Sequence, residues 1–188
     1  AALLADRPQQ FVERVDRQRG EEAVRVGQRH AAHNRHGRRT LGELVREIVA
    51  SELERIGDLA KSIAKRVKLV DKIEAPSALK GVARMGKLVN AQLKRVLDAY
   101  SALETDAAST VWSRDEEVDE HYQSLFREVV TYMIEDPRTI SACAHLLFVA
   151  KNLERIGDHC TNIAEEIHFL VTGEQLPTER PKVDALNN

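Results

Sequence analysis

Leu53-Glu54-Arg55-Ile56-Gly57-Asp58 and Leu153-Glu154-Arg155-Ile156-Gly157-Asp158 are the same six residues, written twice at a spacing of 100. An identity of that length inside 188 residues marks an internal duplication, and a repeat constrains the fold before any single element does. Around the first copy the apolar residues run Val45, Val49, Leu53, Ile56, Ala60, Ile63, Val67, Val70. Around the second they run Leu146, Val149, Leu153, Ile156, Cys160, Ile163, Ile167, Leu170. Steps of three and four lay one apolar stripe along a helix, the pattern of a bundle seam. Each copy carries a glycine inside its helix, at Gly57 and Gly157, where it costs about 1 kcal/mol relative to alanine. A neighbouring helix is expected to approach closely at that point.

Working outward, Asp136-Pro137 gives the second of these helices a cap and a proline start, and Gly173 with Pro177 stops it. Pro76-Ser77 interrupts the chain after Val70. A further helix is expected from Leu79 to about Glu104, with Val82, Met85, Val89, Leu93, Val96 and Tyr100 inward. Another is expected from about Ala107 to Glu135, with Val111, Val118, Tyr122, Leu125, Val129 and Met133 inward. The offset of 100 continues beyond the hexamer: Ala2, Leu3, Asp6 and Arg14 match Ala102, Leu103, Asp106 and Arg114, and Ile63-Ala64 matches Ile163-Ala164. The predicted fold is therefore all-α: tandem pseudo-symmetric three-helix bundles, the first truncated at its N-terminus. Residues 1–75 form the first, partial repeat, residues 76–175 the complete second one, and residues 176–188 a polar tail.

Composition agrees. Hydrophobic residues make up 43% and aromatics only 4%, so Leu, Ala and Val carry the burial. No stretch reaches the ~20 apolar residues of a membrane span, so membrane insertion is not expected. The opening Ala-Ala-Leu-Leu-Ala is too short and lacks the basic start of a secretory signal. Position 1 is Ala, so the true start is expected to be missing. Cys143 and Cys160 have no metal-type spacing and read as reduced thiols of a cytoplasmic protein, with Cys160 on the seam as a core residue. Gly-rich phosphate loops and Ser-His-Asp patterns are absent from the sequence.

The chemistry sits in the acids. Glu54 with Asp58, and Glu154 with Asp158, are four apart and share a helix face beside the seam. Asp115 and Asp119 form a third such pair on the preceding helix. If that helix packs against the Glu154–Asp158 helix, four carboxylates converge. Oxygen donors without Cys or His suit a hard cation such as Mg²⁺, Mn²⁺, Ca²⁺ or iron, which would relieve their repulsion. The competing reading is a solvated helix face. Arg55 and Arg155 are expected to hold a carboxylate on a neighbouring helix. Glu165-x-x-His168 is half of the di-iron signature of ferritin-like proteins, without its second copy, and His168 is placed on the bundle surface. His159 follows Asp158, but its counterpart in the first repeat is Leu59, which argues against a ligand role.

The doubled hexamer, the segment Met133-Ile-Glu-Asp-Pro-Arg-Thr-Ile140 and the ending Ala164-Glu-Glu-Ile-His-Phe-Leu-Val-Thr-Gly-Glu174 resemble the PhoU family. These are phosphate-specific transport system accessory proteins of bacteria. The resemblance covers about residues 43–175. It implies two three-helix bundles related by pseudo-symmetry, and surface metal binding through Glu/Asp-x-x-x-Asp motifs, with multinuclear iron or zinc, manganese, magnesium or calcium. Carried over, those motifs fall on Asp115 with Asp119, Glu154 with Asp158, and Glu54 with Asp58. The resemblance further implies a cytoplasmic regulator, not an enzyme. It would restrain phosphate uptake and repress phosphate-starvation genes between a phosphate ABC transporter ATPase and a sensor histidine kinase. A homodimer is expected and direct DNA binding is not. A metalloenzyme with carboxylate-bound iron and a purely structural helical adaptor are the alternatives.

One segment departs from the family pattern. By the offset, Asp115 and Asp119 correspond to Val15 and Arg19, so the first repeat lacks its second acid pair. Asp16–Thr40 holds seven Arg and three His but no Leu, Ile, Phe or Met, and cannot bury a helix face. A disordered basic loop, an Arg-rich arm for a polyanion and a frame-shifted translation compete here. The frameshift is preferred, because Arg, His, Gly and Ala are what a GC-rich gene yields in a wrong frame.

Overall fold

The computed structural model describes residues 40–70 and 75–177, and they are helical almost throughout. The expectations for the opening of the first repeat, for the 16–39 part of the anomalous segment and for residues 178–188 of the tail lie outside these residues. The elements are α1 (Leu41–Val70), α2 (Pro76–Ala102), α3 (Thr105–Ser113), α4 (Asp115–Glu135), a 3-10 turn at Pro137–Thr139, and α5 (Ile140–Thr172).

Local chemistry sets the boundaries. Thr40 and Glu43 form a capping box at the start of α1: Thr40 Oγ1 accepts the Glu43 amide at 3.2 Å, and Glu43 Oε2 accepts the Thr40 amide at 2.8 Å. Pro76 fits the first turn of α2, which therefore starts three residues before the expected Leu79. Asp136 accepts the Arg138 amide and so seeds the 3-10 turn ahead of α5. Gly173, at φ 77°, closes α5 in the left-handed conformation that suits glycine.

The single helix expected over 107–135 is in fact two. Arg114, at φ −93° and ψ 4°, steps out of the helical ladder, and its carbonyl accepts the Glu117 amide at 3.2 Å. Asp115, Glu116 and Glu117 then occupy the first turn of a new helix, where its dipole favours negative charge. The hydrophobic period runs through this break unaltered, because Val111 and Val118 are both buried.

α5 is the centre of the molecule. Its 33 residues span about 50 Å, and it packs against every other described helix. α2, α3 with α4, and α5 enclose one core. Val82, Met85, Val89, Leu93 and Val96 from α2 meet Val118, Leu125 and Val129 from α4 and Leu146, Ile156 and Ile163 from α5. Among the described helices α1 packs on α5 alone, on the other side, through Val45, Val49, Leu53, Ile56 and Ile63. Val67 and Leu170, expected on the seams, are only half-buried.

The α1–α5 joint carries the duplication into three dimensions. Asn152 donates to Ser62 Oγ at 3.2 Å, and Asn162 donates to Glu52 Oε2 at 3.1 Å. Positions 52 and 152 are equivalents, as are 62 and 162, so the two contacts exchange under a pseudo-two-fold. Arg66 stacks on Phe148 at 5.3 Å along the same antiparallel crossing. No described helix is long and apolar enough to cross a membrane.

Candidate metal centre

α4 lies against α5 at the second copy of the hexamer, and Gly157 makes that approach possible. A Cβ there would stand 3.3 Å from Asp115 Oδ1, 3.4 Å from Gln92 Oε1 and 3.7 Å from Val118 Cγ1. The close approach expected from the glycine is thus present at Gly157. Because α4 and α5 are antiparallel, the α4 acids come alongside Glu154 and Asp158, but three of the four expected carboxylates converge. Asp119, Glu154 and Asp158 each bring a carboxylate oxygen within 4.8 Å of the others. Asp115 lies a turn further along α4 and is 2% exposed.

The acids are not equally placed. The Glu154 side chain is 12% exposed; its Oε1 accepts the Lys151 ammonium, while Oε2 is buried with no hydrogen-bond partner. Asp158 is at the open edge. Burial, followed by the charges of Glu154, Asp115 and Asp119, pushes its carboxyl up to about 6, with Lys151 opposing. Burial alone would lower the Lys151 ammonium, but its hydrogen bond to Glu154 and the charges of Glu154, Tyr122 and Asp158 carry it above its usual value. Gln92, buried at 6% exposure on α2, donates weakly to the Arg114 carbonyl at 3.5 Å. Its Oε1 remains unpartnered beside Asp115.

These residues fit a hard cation. The donors are carboxylate oxygens without thiolate or imidazole, one buried oxygen lacks a partner, and burial with the clustered charge already disfavours ionisation of Asp158. Exposed acidic groups also gather without a metal, and Lys151 already supplies one positive charge.

The first copy is placed differently. Glu54 and Asp58 are exposed on α1, Asp58 pairs with Lys61 at 3.4 Å, and no third acid joins them among the described residues. Val15 and Arg19, the equivalents of Asp115 and Asp119, lie outside the described residues. Arg55 and Arg155 are exposed, and neither forms the expected ion pair among the described residues. His159 turns Nδ1 to Glu52 of α1 at 2.6 Å, away from the acids. Expected on the surface, His168 is instead half-buried with Nδ1 unpartnered, because α5 is covered on two sides; Glu165 is exposed. Cys160 is fully buried, and burial together with Asp115 and Asp158 holds its thiol protonated. Cys143 is a second buried free thiol.

Sequence reasoning missed Lys151 and Gln92. Lys151-x-x-Glu154 is readable as an i,i+3 ion pair, whereas nothing in the order of residues places Gln92 beside Gly157.

Residues 82–167 match the sequence model of the PhoU domain. The chain is 60% identical over 140 residues to the phosphate-specific transport system accessory protein PhoU homolog of Caulobacter vibrioides, covering 74% of this chain and 61% of that protein. It is 53% identical over 137 residues to the PhoU homolog of Rhizobium meliloti, covering 72% of this chain and 58% of that one. The chain thus spans about three-fifths of the length of these relatives. Among solved structures it resembles PhoU from Pseudomonas aeruginosa at 33% identity and a TM-score of 0.71, over 90% of this chain and 82% of that one. A phosphate transport system regulatory protein PhoU from Streptococcus pneumoniae gives the same TM-score at 24% identity, over 94% and 86% of the two chains, a likeness of fold alone.

Proposed function

The chain belongs to the PhoU family, and from that premise we propose that it is an accessory protein of a bacterial phosphate transport system. It acts as a negative regulator of phosphate uptake and of the phosphate-starvation response. It works by binding: a cytoplasmic, homodimeric helical adaptor between the ATPase of a phosphate ABC transporter and a sensor histidine kinase. The observation that carries a metal-dependent version of this reading is the convergence of Asp119, Glu154 and Asp158 within 4.8 Å. Those three, with Asp115 behind them, are the residues that would hold a cation, of iron or another hard metal. A bound ion would supply positive charge between α4 and α5, neutralising the cluster and pinning one helix against the other. Glu154 and Asp115 anchor the arrangement from the buried side, and Gly157 leaves the room for it.

The test is alkaline phosphatase activity in phosphate-rich medium, in a bacterium whose own PhoU gene is deleted. Repression by this chain but not by Glu154→Ala/Asp158→Ala supports a repressor that needs its acid pair. Repression by both keeps the regulator and removes the metal site from its mechanism. The Lys151–Glu154 pair favours a second reading, a structural adaptor whose acids are neutralised by lysine alone. Absence of metal after gentle purification, with repression intact in both versions, would establish it.

A further inference from the structure

Resting on the metal reading above, we propose that Lys151 is the built-in competitor of the cation, a tethered ammonium that holds the site until a divalent ion displaces it. Its position allows both states. Lys151 lies one turn before Glu154 on α5, and its Nζ binds Glu154 Oε1 while standing 5.2 Å from the Tyr122 ring of α4. The lysine side chain is 48% exposed, whereas Glu154 is 12% exposed and fixed in the groove. The flexible partner is therefore the cation, and the rigid partner is the carboxylate it must give up.

A divalent ion brings twice the charge and engages Asp119, Glu154 and Asp158 together, and the ammonium on Glu154 Oε1 repels it from that same carboxylate. On release the ammonium keeps the face of Tyr122 as a resting place, where a cation is attracted to the ring. Two further observations point to a ligand in this cluster. Glu154 Oε2 is buried without a partner, and Gln92, 6% exposed, presents an unpartnered Oε1 at the inner end beside Asp115. The device belongs to the second repeat alone, because the equivalent of Lys151 in the first is Ser51. Lys151 thereby sets the free-metal concentration at which the site loads, and loading releases a positive charge on the outer edge of the α4–α5 groove.

The experiment is calorimetric titration of Mn²⁺ into metal-free protein, comparing wild type, Lys151→Met and Lys151→Arg. Methionine keeps the unbranched stem over Tyr122 and removes the charge; arginine keeps the charge. Lys151→Met is expected to bind Mn²⁺ about fivefold more tightly than wild type, the scale of one partly exposed ion pair, and Lys151→Arg within about twofold of wild type. Acetylation of wild type with and without Mn²⁺, read by mass spectrometry, is a second readout that a structural role would not move. Mn²⁺ is expected to raise modification of Lys151 and leave that of Lys94, paired with Asp98 elsewhere, unchanged. Equal or weaker binding by Lys151→Met, or no change in Lys151 acetylation, overturns the competitor while leaving the metal site standing. Failure of all three proteins to bind Mn²⁺ overturns both.

Discussion

The two copies of Leu-Glu-Arg-Ile-Gly-Asp are identical in sequence and unlike in surroundings. On α5, Glu154 and Asp158 face a helix that brings Asp119 into reach and Asp115 behind it. On α1, Glu54 and Asp58 face no third acid among the described residues, and Asp58 takes Lys61 instead. The motif supplies two carboxylates and a gap; the neighbouring helix decides whether a site forms. Among the described residues the duplicated hexamer is therefore evidence of common descent for both repeats and of an acid cluster for only one.

The largest effect should come from breaking the second copy and sparing the first. Glu154→Ala/Asp158→Ala is expected to lower Mn²⁺ affinity by at least about 100-fold, more than loss of outer-shell groups costs at metal sites. Glu54→Ala/Asp58→Ala should leave it unchanged by the same calorimetry. Equal losses from both pairs would erase the distinction.

The joint between the repeats offers a second contrast. Its two halves are pseudo-symmetric, yet one holds the charged Glu52 with His159 and Asn162, and the other holds Asn152 with Ser62. Glu52→Ala removes a charged acceptor of two bonds and is expected to cost about 1.5–3 kcal/mol in urea unfolding, whereas Asn152→Ala costs about 1 kcal/mol. A larger loss at Asn152 would contradict the asymmetry.

Gly157→Ala sharpens the question of approach. The new Cβ would meet Asp115 and Gln92 oxygens at 3.3 and 3.4 Å, so α4 must yield slightly. The gain in helix propensity, about 1 kcal/mol, offsets the crowding, so stability should change by less than about 1 kcal/mol while Mn²⁺ affinity falls. A thermal melt beside the titration separates the two.

The smallest effect concerns pH. Asp158 has a folded-state pKa of about 6 against an ordinary value of 3.8. The folded protein therefore binds the proton more tightly than the unfolded chain. The penalty is absent below pH 3.8, grows as pH rises through the interval to about 6, and is complete above it. Metal-free Asp158→Asn should lose less stability than wild type across that interval, whereas saturating Mn²⁺, which binds the ionised carboxylate, should make stability rise with pH there. Parallel stability curves for wild type and variant would contradict the assignment.

Much of this was legible in the sequence because helical bundles write their core as a period. The inward residues of α2, from Val82 to Tyr100, were read off spacing alone and are buried. The acid pairs were legible for the same reason, since four residues make one turn. What spacing omits is the partner helix. The break at Arg114 leaves the apolar period intact, so two helices read as one. Gln92 is polar on an apolar face, and only the packing of three helices shows that it meets Gly157 and Asp115. The counterpart Leu59 argues against His159 as a ligand, but nothing local shows its actual partner, because Glu52 lies 107 residues away.

Anomalous diffraction at the manganese edge from crystals grown with Mn²⁺ tests the central claim most directly. A peak bounded by Asp119, Glu154 and Asp158 is expected, with none at Glu54 and Asp58. A peak at the first copy, or density for Lys151 on Glu154 with no manganese nearby at saturating Mn²⁺, would contradict it.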